Sequence, residues 1–283
     1  MVSPEINKEL WIAGDPMVDV FLEGEWNNNR FIPSGKKIRP GGAWNTAYNA
    51  AEICRDTDID VHVGWCGSPF ASLDWFLHLY RLRSEAQELE FYLDPMTNRE
   101  TYYSNEYCLK SLVMNSKSSK GPRGLIISDY NRGLVNNKRK VLEGEFTKLS
   151  TFDFVIVDSR YRSVDLSLIR NIPVKIWRCS GNECTREWVH NFDWVVGTSN
   201  GGPIFIEEMG KEGTYIFSPP QIEDRYLDTC GAGDTFTAAL AAHLLNNDKE
   251  IEMDSMKEAA YFASQAACNV ITKQYTAVTD LKL

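Results

Sequence analysis

The stretch DTCGAGDTFTAALAAHLL, Asp228 to Leu245, runs from a glycine-rich turn into an apolar-spaced segment without a break. Gly231 and Gly233 flank Ala232, and Phe236, Ala239, Leu240 and Leu244 follow at helical spacing. The spacing predicts an amphipathic helix whose first amides, those of Gly231, Ala232 and Gly233, point outward without intrahelical partners. Free amides at a helix N-terminus, aided by the helix dipole, attract an anion. Asp234 stands at the rim of that anion hole, placed to take a proton from an attacking hydroxyl. Phosphoryl transfer asks for this pairing of a base with fixed donors. An ordinary turn in which Asp caps the helix fits the same residues equally well.

Outward from this stretch, short apolar runs recur: LWIA at 10 to 13, VHVGW at 61 to 65, GLIIS at 124 to 128, FVIV at 154 to 157, VKIW at 174 to 177, WVVG at 194 to 197 and IFI at 204 to 206. Runs this short and this apolar suit strands covered on both faces. Segments with helical spacing lie between several of them, as in Trp44, Ala47, Tyr48 and Ala51. The alternation predicts an α/β protein with a mostly parallel sheet between two helical layers. Two segments, at about 18–38 and 89–116, alternate polar and apolar residues instead. They are expected to pair as exposed antiparallel strands in a small lid.

The length of 283 residues suits one domain, residues 1–283 with its lid segments. Thirty basic against 39 acidic residues leave a net charge of −9, which opposes contact with nucleic acid. No run approaches the roughly 18 uncharged apolar residues of a membrane span, and the polar first residues carry no secretory signal, so a cytoplasmic protein without a membrane partner is expected. The seven cysteines contain no CxxC pair and are expected to be reduced. His62, His78, His190 and His243 show neither metal-site nor triad spacing. The eight tryptophans fall mostly in apolar runs and are expected in the core.

DTCGAGD resembles the carboxy-terminal DTxGAGD signature of the ribokinase-like (PfkB) carbohydrate kinases. RPGGAWNTAYNAA at 39 to 51 resembles the family's amino-terminal diglycine-and-Asn signature, in the same order and at a similar separation. AGDPMVDVF at 13 to 21, LIISDYNRGL at 125 to 134 and the tail from Ala259 are similar to the heptose 7-phosphate kinase branch. The resemblance implies a three-layer ribokinase-like α/β/α fold and transfer of the γ-phosphoryl group of ATP, with Mg²⁺, to a sugar or sugar-phosphate hydroxyl. In the heptose branch that acceptor is the anomeric hydroxyl of a heptose 7-phosphate.

Carried over by position, Asp234 is the base and Gly231, Ala232 and Gly233 are the anion hole. Asp15, Asp19, Gly41, Gly42 and Asn45 line the sugar pocket, and Arg132 stands where relatives carry a Lys. Asp158, Arg160, Ser180, Thr198, Asn200 and Gly201 flank the nucleotide. Glu183 is tied to Mg²⁺, and Asp228 to a monovalent cation. The partner is a small sugar or sugar phosphate, with a homodimer through the lid as a further expectation, and the nucleotidyltransferase domain of bifunctional relatives is expected to be absent.

The chain departs from the family in three places. Eleven residues lie between Cys184 and Val196, where relatives insert a longer segment; Trp44 is bulky within the diglycine motif; and GSPFASLDWF at 67 to 76 lacks the usual GxDxxG. Two rival expectations follow: a kinase for another sugar or a nucleoside, and a non-catalytic binding descendant of the fold.

Overall fold

The computed structural model describes residues 8–14, 16–27, 30–66, 82–85, 89–94, 99–104, 121–130, 151–162, 164–181, 186–199, 201–222, 228–247, 249–273 and 277–283. The main sheet contains nine strands in the order β13-β12-β11-β10-β9-β8-β1-β4-β5. They are β1 (Lys8–Gly14), β4 (Ile59–Cys66), β5 (Leu82–Glu85), β8 (Arg123–Asp129), β9 (Phe154–Ser159), β10 (Val174–Ser180), β11 (Trp194–Thr198), β12 (Ile204–Glu208) and β13 (Thr214–Phe217). Pairing is parallel from β5 through β11 and antiparallel across β12 and β13. Each of the seven apolar runs read from the sequence forms one of these strands.

Alternation along the strands feeds two cores. Leu10, Ile12, Ile126, Ile156, Ile176 and Val196 face one layer, built by α1 (Ala43–Ile53), α3 (Ala232–Asn246) and α4 (Met253–Ile271). Trp11, Leu125, Ile127, Val155, Val157, Trp177 and Val195 face the other, with Trp188 and Phe192 from the short α2 (Arg186–Val189) and the turn after it. Trp177 is fully buried and meets Trp188 edge-on at 5.2 Å, so the tryptophans here are packing residues. Covering both faces of a parallel sheet satisfies its apolar side chains and yields the expected three layers.

Two corrections to the sequence reading belong here. Of the 15 residues of α3, 11 are buried, so this helix is not an amphipathic surface helix but sits between α1 and α4, its alanines allowing close approach. Cys179, at the end of β10, is disulfide-bonded and not a reduced thiol, whereas Cys54, Cys230 and Cys268 are thiols outside any disulfide.

The two alternating segments pair with each other. β2 (Pro16–Asn27) and β3 (Arg30–Gly42) form a hairpin, β6 (Leu89–Asp94) pairs with β7 (Arg99–Ser104), and β2 joins β7 in a second, four-stranded antiparallel sheet of order β3-β2-β7-β6. Its strands span 16–42 and 89–104, while residues 105–116 lie outside the described residues. The chain enters this sheet directly from the end of β1 and returns through Gly42 into α1.

The strand order reverses between β1 and β8, and in open parallel sheets such a reversal opens a crevice at the carboxyl ends of the strands. Gly14 ends β1 there with φ of 138°, and a Cβ on it would lie 1.9 Å from the Ser128 carbonyl oxygen of β8. Both the left-handed backbone and the contact exclude a side chain. Gly14→Ala should therefore cost about 2–4 kcal/mol of stability, read as a lower urea midpoint at unchanged slope. A midpoint within error of the wild type would show that the β1–β8 crossing tolerates displacement.

Candidate active site

The carboxyl ends of β8, β9, β10 and β11 converge on the first turn of α3. Gly231 precedes this helix in the left-handed conformation, φ 83°, and no side chain caps the helix. The Ala232 amide donates to the Thr229 carbonyl at 3.2 Å, which corrects its expected place in the anion hole: the turn closes on itself there. The amides of Gly233 and Asp234 make no hydrogen bond to a described residue and remain directed out of the helix end. The amide donors left for an anion are therefore those around Ala232 rather than its own.

Asp234 follows at once and is 4% exposed. Its Oδ2 accepts from the Asn45 side chain at 3.0 Å and its Oδ1 accepts from the Tyr130 hydroxyl at 2.8 Å. Burial, and then the neighbouring charges of Asp158 and Asp19, disfavour the ionised form, while the Asn45 and Tyr130 hydrogen bonds favour it; the outcome is a carboxyl pushed up to about 7. The Tyr130 hydroxyl is held well above its ordinary range by burial and by Asp234, so it donates and stays protonated. A carboxyl poised near neutrality, with two fixed donors and an open anion site beside it, suits general-base work.

Beneath the same helix turn lies a polar cluster that the sequence had not revealed. Arg178, 8% exposed on β10, donates to both carboxylate oxygens of Asp158 at 3.2 and 3.4 Å and to the Thr198 hydroxyl at 3.0 Å. Thr237 donates to Asp158 at 2.6 Å, tying α3 to the same group. Burial works against the Arg178 charge, and Asp158, joined by Tyr130 and Asp234, more than offsets it, so the guanidinium holds its proton more firmly than in water. A Cβ on Gly233 would stand 3.1 Å from the Arg178 nitrogens. Gly233 therefore makes room for a buried cation.

The predicted residues divide accordingly. Asn45, Asp19, Gly41 and Gly42 lie on the side where β2 and β3 meet α1: Asp19 is 3% exposed on β2, with its carboxylate packed on Gly41, and the Cys230 thiol donates to it at 3.9 Å. On the opposite side Asp158 and Thr198 converge on Arg178, while Arg160 and Gly201 are exposed and Ser180 is half-buried at the end of β10. Asp228 accepts from the Cys230 amide at 2.8 Å, a local turn. Asp15, Arg132, Glu183 and Asn200 lie outside the described residues. Among the described residues no three His, Cys, Asp or Glu side chains are grouped to hold a metal, and no helix is long and apolar enough to cross a membrane. Tyr130, within LIISDYNRGL, and Arg178, directly after VKIW, are not singled out by the sequence reading; the signal that could have found them is a position at the carboxyl end of a parallel strand.

Residues 189–282 match the pfkB family carbohydrate kinase model, a span that contains α3 and its glycine turn. No curated protein matches the chain in sequence. Among solved structures, ribokinase from Thermotoga maritima superposes with a TM-score of 0.66 at 14% identity, covering 97% of each chain. Ribokinase from Giardia lamblia gives 0.64 at 16%, covering 98% of this chain and 97% of that one. Adenosine kinase from Schistosoma mansoni gives 0.63 at 13%, covering 95% and 96%. These likenesses establish the ribokinase-like fold, and the family match supports a phosphotransferase.

Tyr130→Phe removes one of the two donors that favour the Asp234 carboxylate. The loss of a hydrogen bond to a charged group, about 1.5–3 kcal/mol, corresponds to an upward displacement of about one to two pH units in the titration of Asp234. The alkaline-rising limb of kcat/KM should move up by that amount. A limb that stays in place would remove Tyr130 from the control of this group.

Proposed function

We propose that the protein is a sugar kinase in which Asp234 deprotonates an acceptor hydroxyl and the first turn of α3 receives the transferred phosphoryl group. The observation that carries this reading is the juxtaposition of a buried carboxyl pushed up to about 7 with the open amides of Gly233 and Asp234 itself. Near neutral pH such a carboxyl is partly ionised, so it can accept a proton, and it is basic enough to hold it. Asn45 and Tyr130 fix its two oxygens, leaving their remaining lone pairs for the acceptor.

Asp19 and Asn45, both buried beside Gly41 and Gly42, offer the hydrogen-bonding groups that a polyol needs. Asp15 and Arg132 are read by resemblance as further acceptor contacts. The donor is read as ATP, which supplies the phosphoryl group when bound, with Arg160, Ser180, Thr198, Asn200 and Gly201 along its path. Arg178, already tied to Asp158, adds positive potential under the anion site instead of a free charge on the surface. Mg²⁺ accompanies ATP by the same resemblance, with Glu183 as its candidate partner. The described carboxylates do not form a cluster for it. Asp228 is retained as the candidate beside a monovalent cation.

The four-stranded sheet acts as a lid, since it grows from the end of β1 and returns at Gly42, both at the site. Closure would exclude water from the phosphoryl group. The same sheet is the surface through which a homodimer would form. A heptose 7-phosphate is the acceptor favoured by the resemblance of AGDPMVDVF and LIISDYNRGL.

ADP release across free and phosphorylated sugars tests the substrate reading. Turnover with a heptose 7-phosphate supports it, and turnover with another acceptor alone overturns it. Asp234→Asn should lower turnover by roughly 10²–10⁴ with nucleotide binding retained; undiminished ADP production would show the base is elsewhere. The same substitution has a signature in stability. The folded-state carboxyl titrates near 7 against 3.8 for the ordinary group, so the folded protein binds the extra proton between those values. Wild-type stability should therefore fall as pH rises from about 4 through 7, and the Asn variant should lose this slope. Parallel melting-temperature profiles for the two would contradict the assignment.

A further inference from the structure

We propose that Asn49 is a positioning residue that carries the polarity of the Thr279 backbone amide, through the Asn45 carboxamide, to the Asp234 carboxylate. A side-chain amide presents a donor on one side and an acceptor on the other, and turning it over exchanges them. Which way Asn45 faces therefore decides whether Asp234 meets an N–H or a repelling oxygen.

The orientation is dictated from outside the site by groups that cannot turn over. The Thr279 N–H donates to Asn49 Oδ1 at 3.0 Å, and a backbone amide can only donate. Asn49 Nδ2 must then face the other way, where two backbone carbonyls accept from it, those of Asn45 at 3.0 Å and Ala277 at 3.4 Å. The same nitrogen donates to Asn45 Oδ1 at 3.0 Å. That leaves Asn45 Nδ2 to face Asp234 Oδ2 at 3.0 Å and the Gly231 carbonyl at 3.3 Å. Every link is a donor meeting an acceptor, in one direction, from Thr279 to Asp234. Asn45 and Asn49 are each 0% exposed and Thr279 is 1% exposed, so water cannot substitute for a lost partner at low cost.

The two asparagines stand one helical turn apart on α1, which places them on one face, and residues 277–283 lie across that turn. The tail is further held by Thr279 Oγ1 to Asn269 at 3.2 Å and by the Leu283 amide to the Ile53 carbonyl at 3.2 Å. A segment without helix or strand, 45 residues beyond the base, thus sets the sense of the hydrogen bond that the base receives. The charged and titratable groups facing Asp234 from the other elements are Tyr130 after β8, Asp158 on β9, Asp19 on β2 and Arg178 on β10. On α1, Asn45 and Asn49 act as neutral dipoles.

Asp234 as a base rests on the phosphotransfer reading; the polarity of the chain of amides does not, and the test separates them. Asn49→Leu removes every link at nearly constant volume. Asn49→Ser is the second variant, because its hydroxyl can bond the Asn45 carbonyl within the helix while giving nothing to the Asn45 side chain. Titration of Asp234 is followed by ¹³C NMR of aspartate-labelled protein, with Asp234→Asn identifying its resonance, and kcat/KM is measured against pH. The expected result in both variants is an upward displacement of the Asp234 titration by about one pH unit, accompanied by a roughly fivefold loss of kcat/KM at pH 7. A folded variant whose Asp234 titrates as in the wild type overturns the proposal even if its melting temperature falls, since a purely structural residue would do only that. Absence of phosphotransfer in the wild type would defeat the functional reading and leave the NMR result to decide this one.

Discussion

Asp19 on β2 and Asp158 on β9 bring negative charge close enough to Asp234, at the start of α3, to disfavour its ionisation, although the three are not grouped as a metal site, and Arg178 is the buried cation beside them. One cation cannot stabilise three anions in a weakly solvated site. Asp158 takes Arg178 by a direct double contact, and Asp234 is left to burial and to two neutral donors. Its proton affinity follows from that imbalance. The rest of the site is arranged around it: Gly233 has no side chain because Arg178 needs the space, Thr237 and Thr198 bind the pair from two further elements, and the amides above them remain open.

This constraint also accounts for why the fold places so many polar groups inside. Asn45, Asn49, Thr235 and Thr237 are 0% exposed, and each has a hydrogen bond whose partner lies on the helices or strands around the crevice. Buried polar networks of this kind are costly when incomplete and rigid when satisfied. These polar groups are satisfied by other groups of the protein itself, the kind of preorganisation that charge-stabilising catalysis uses. A stability slope tied to Asp234 is the thermodynamic counterpart of that arrangement.

Much of the fold was legible because a covered parallel sheet writes itself as short apolar runs, and LWIA, GLIIS, FVIV and WVVG each mark a strand. The pairing of the two alternating segments was legible for a similar reason. Helix α3 was misread as amphipathic because its alanines look neutral in a periodic pattern while they pack against α1 and α4. In the candidate site, Asp234, Asn45 and Asp19 stood out through their motifs, and the structure brings them together. Arg178, Tyr130 and Asn49 act through partners 20 to 230 residues away, and no local pattern announces such pairings. The Ala232 amide was misassigned because its turn bond to Thr229 depends on a backbone conformation that the glycine spacing leaves open.

On the proposed reading, the buried carboxyl of Asp234, poised near neutrality, accepts the acceptor hydroxyl's proton as the phosphoryl group moves to a sugar. Phosphorus NMR of the protein with ATP, Mg²⁺ and a mixture of free and phosphorylated sugars, followed at several pH values, tests it most directly. The account predicts a new sugar phosphate resonance that grows with ADP, at a rate rising with pH and half-maximal near pH 7. Formation of inorganic phosphate alone, or of a sugar phosphate at a rate indifferent to pH across that range, would contradict it.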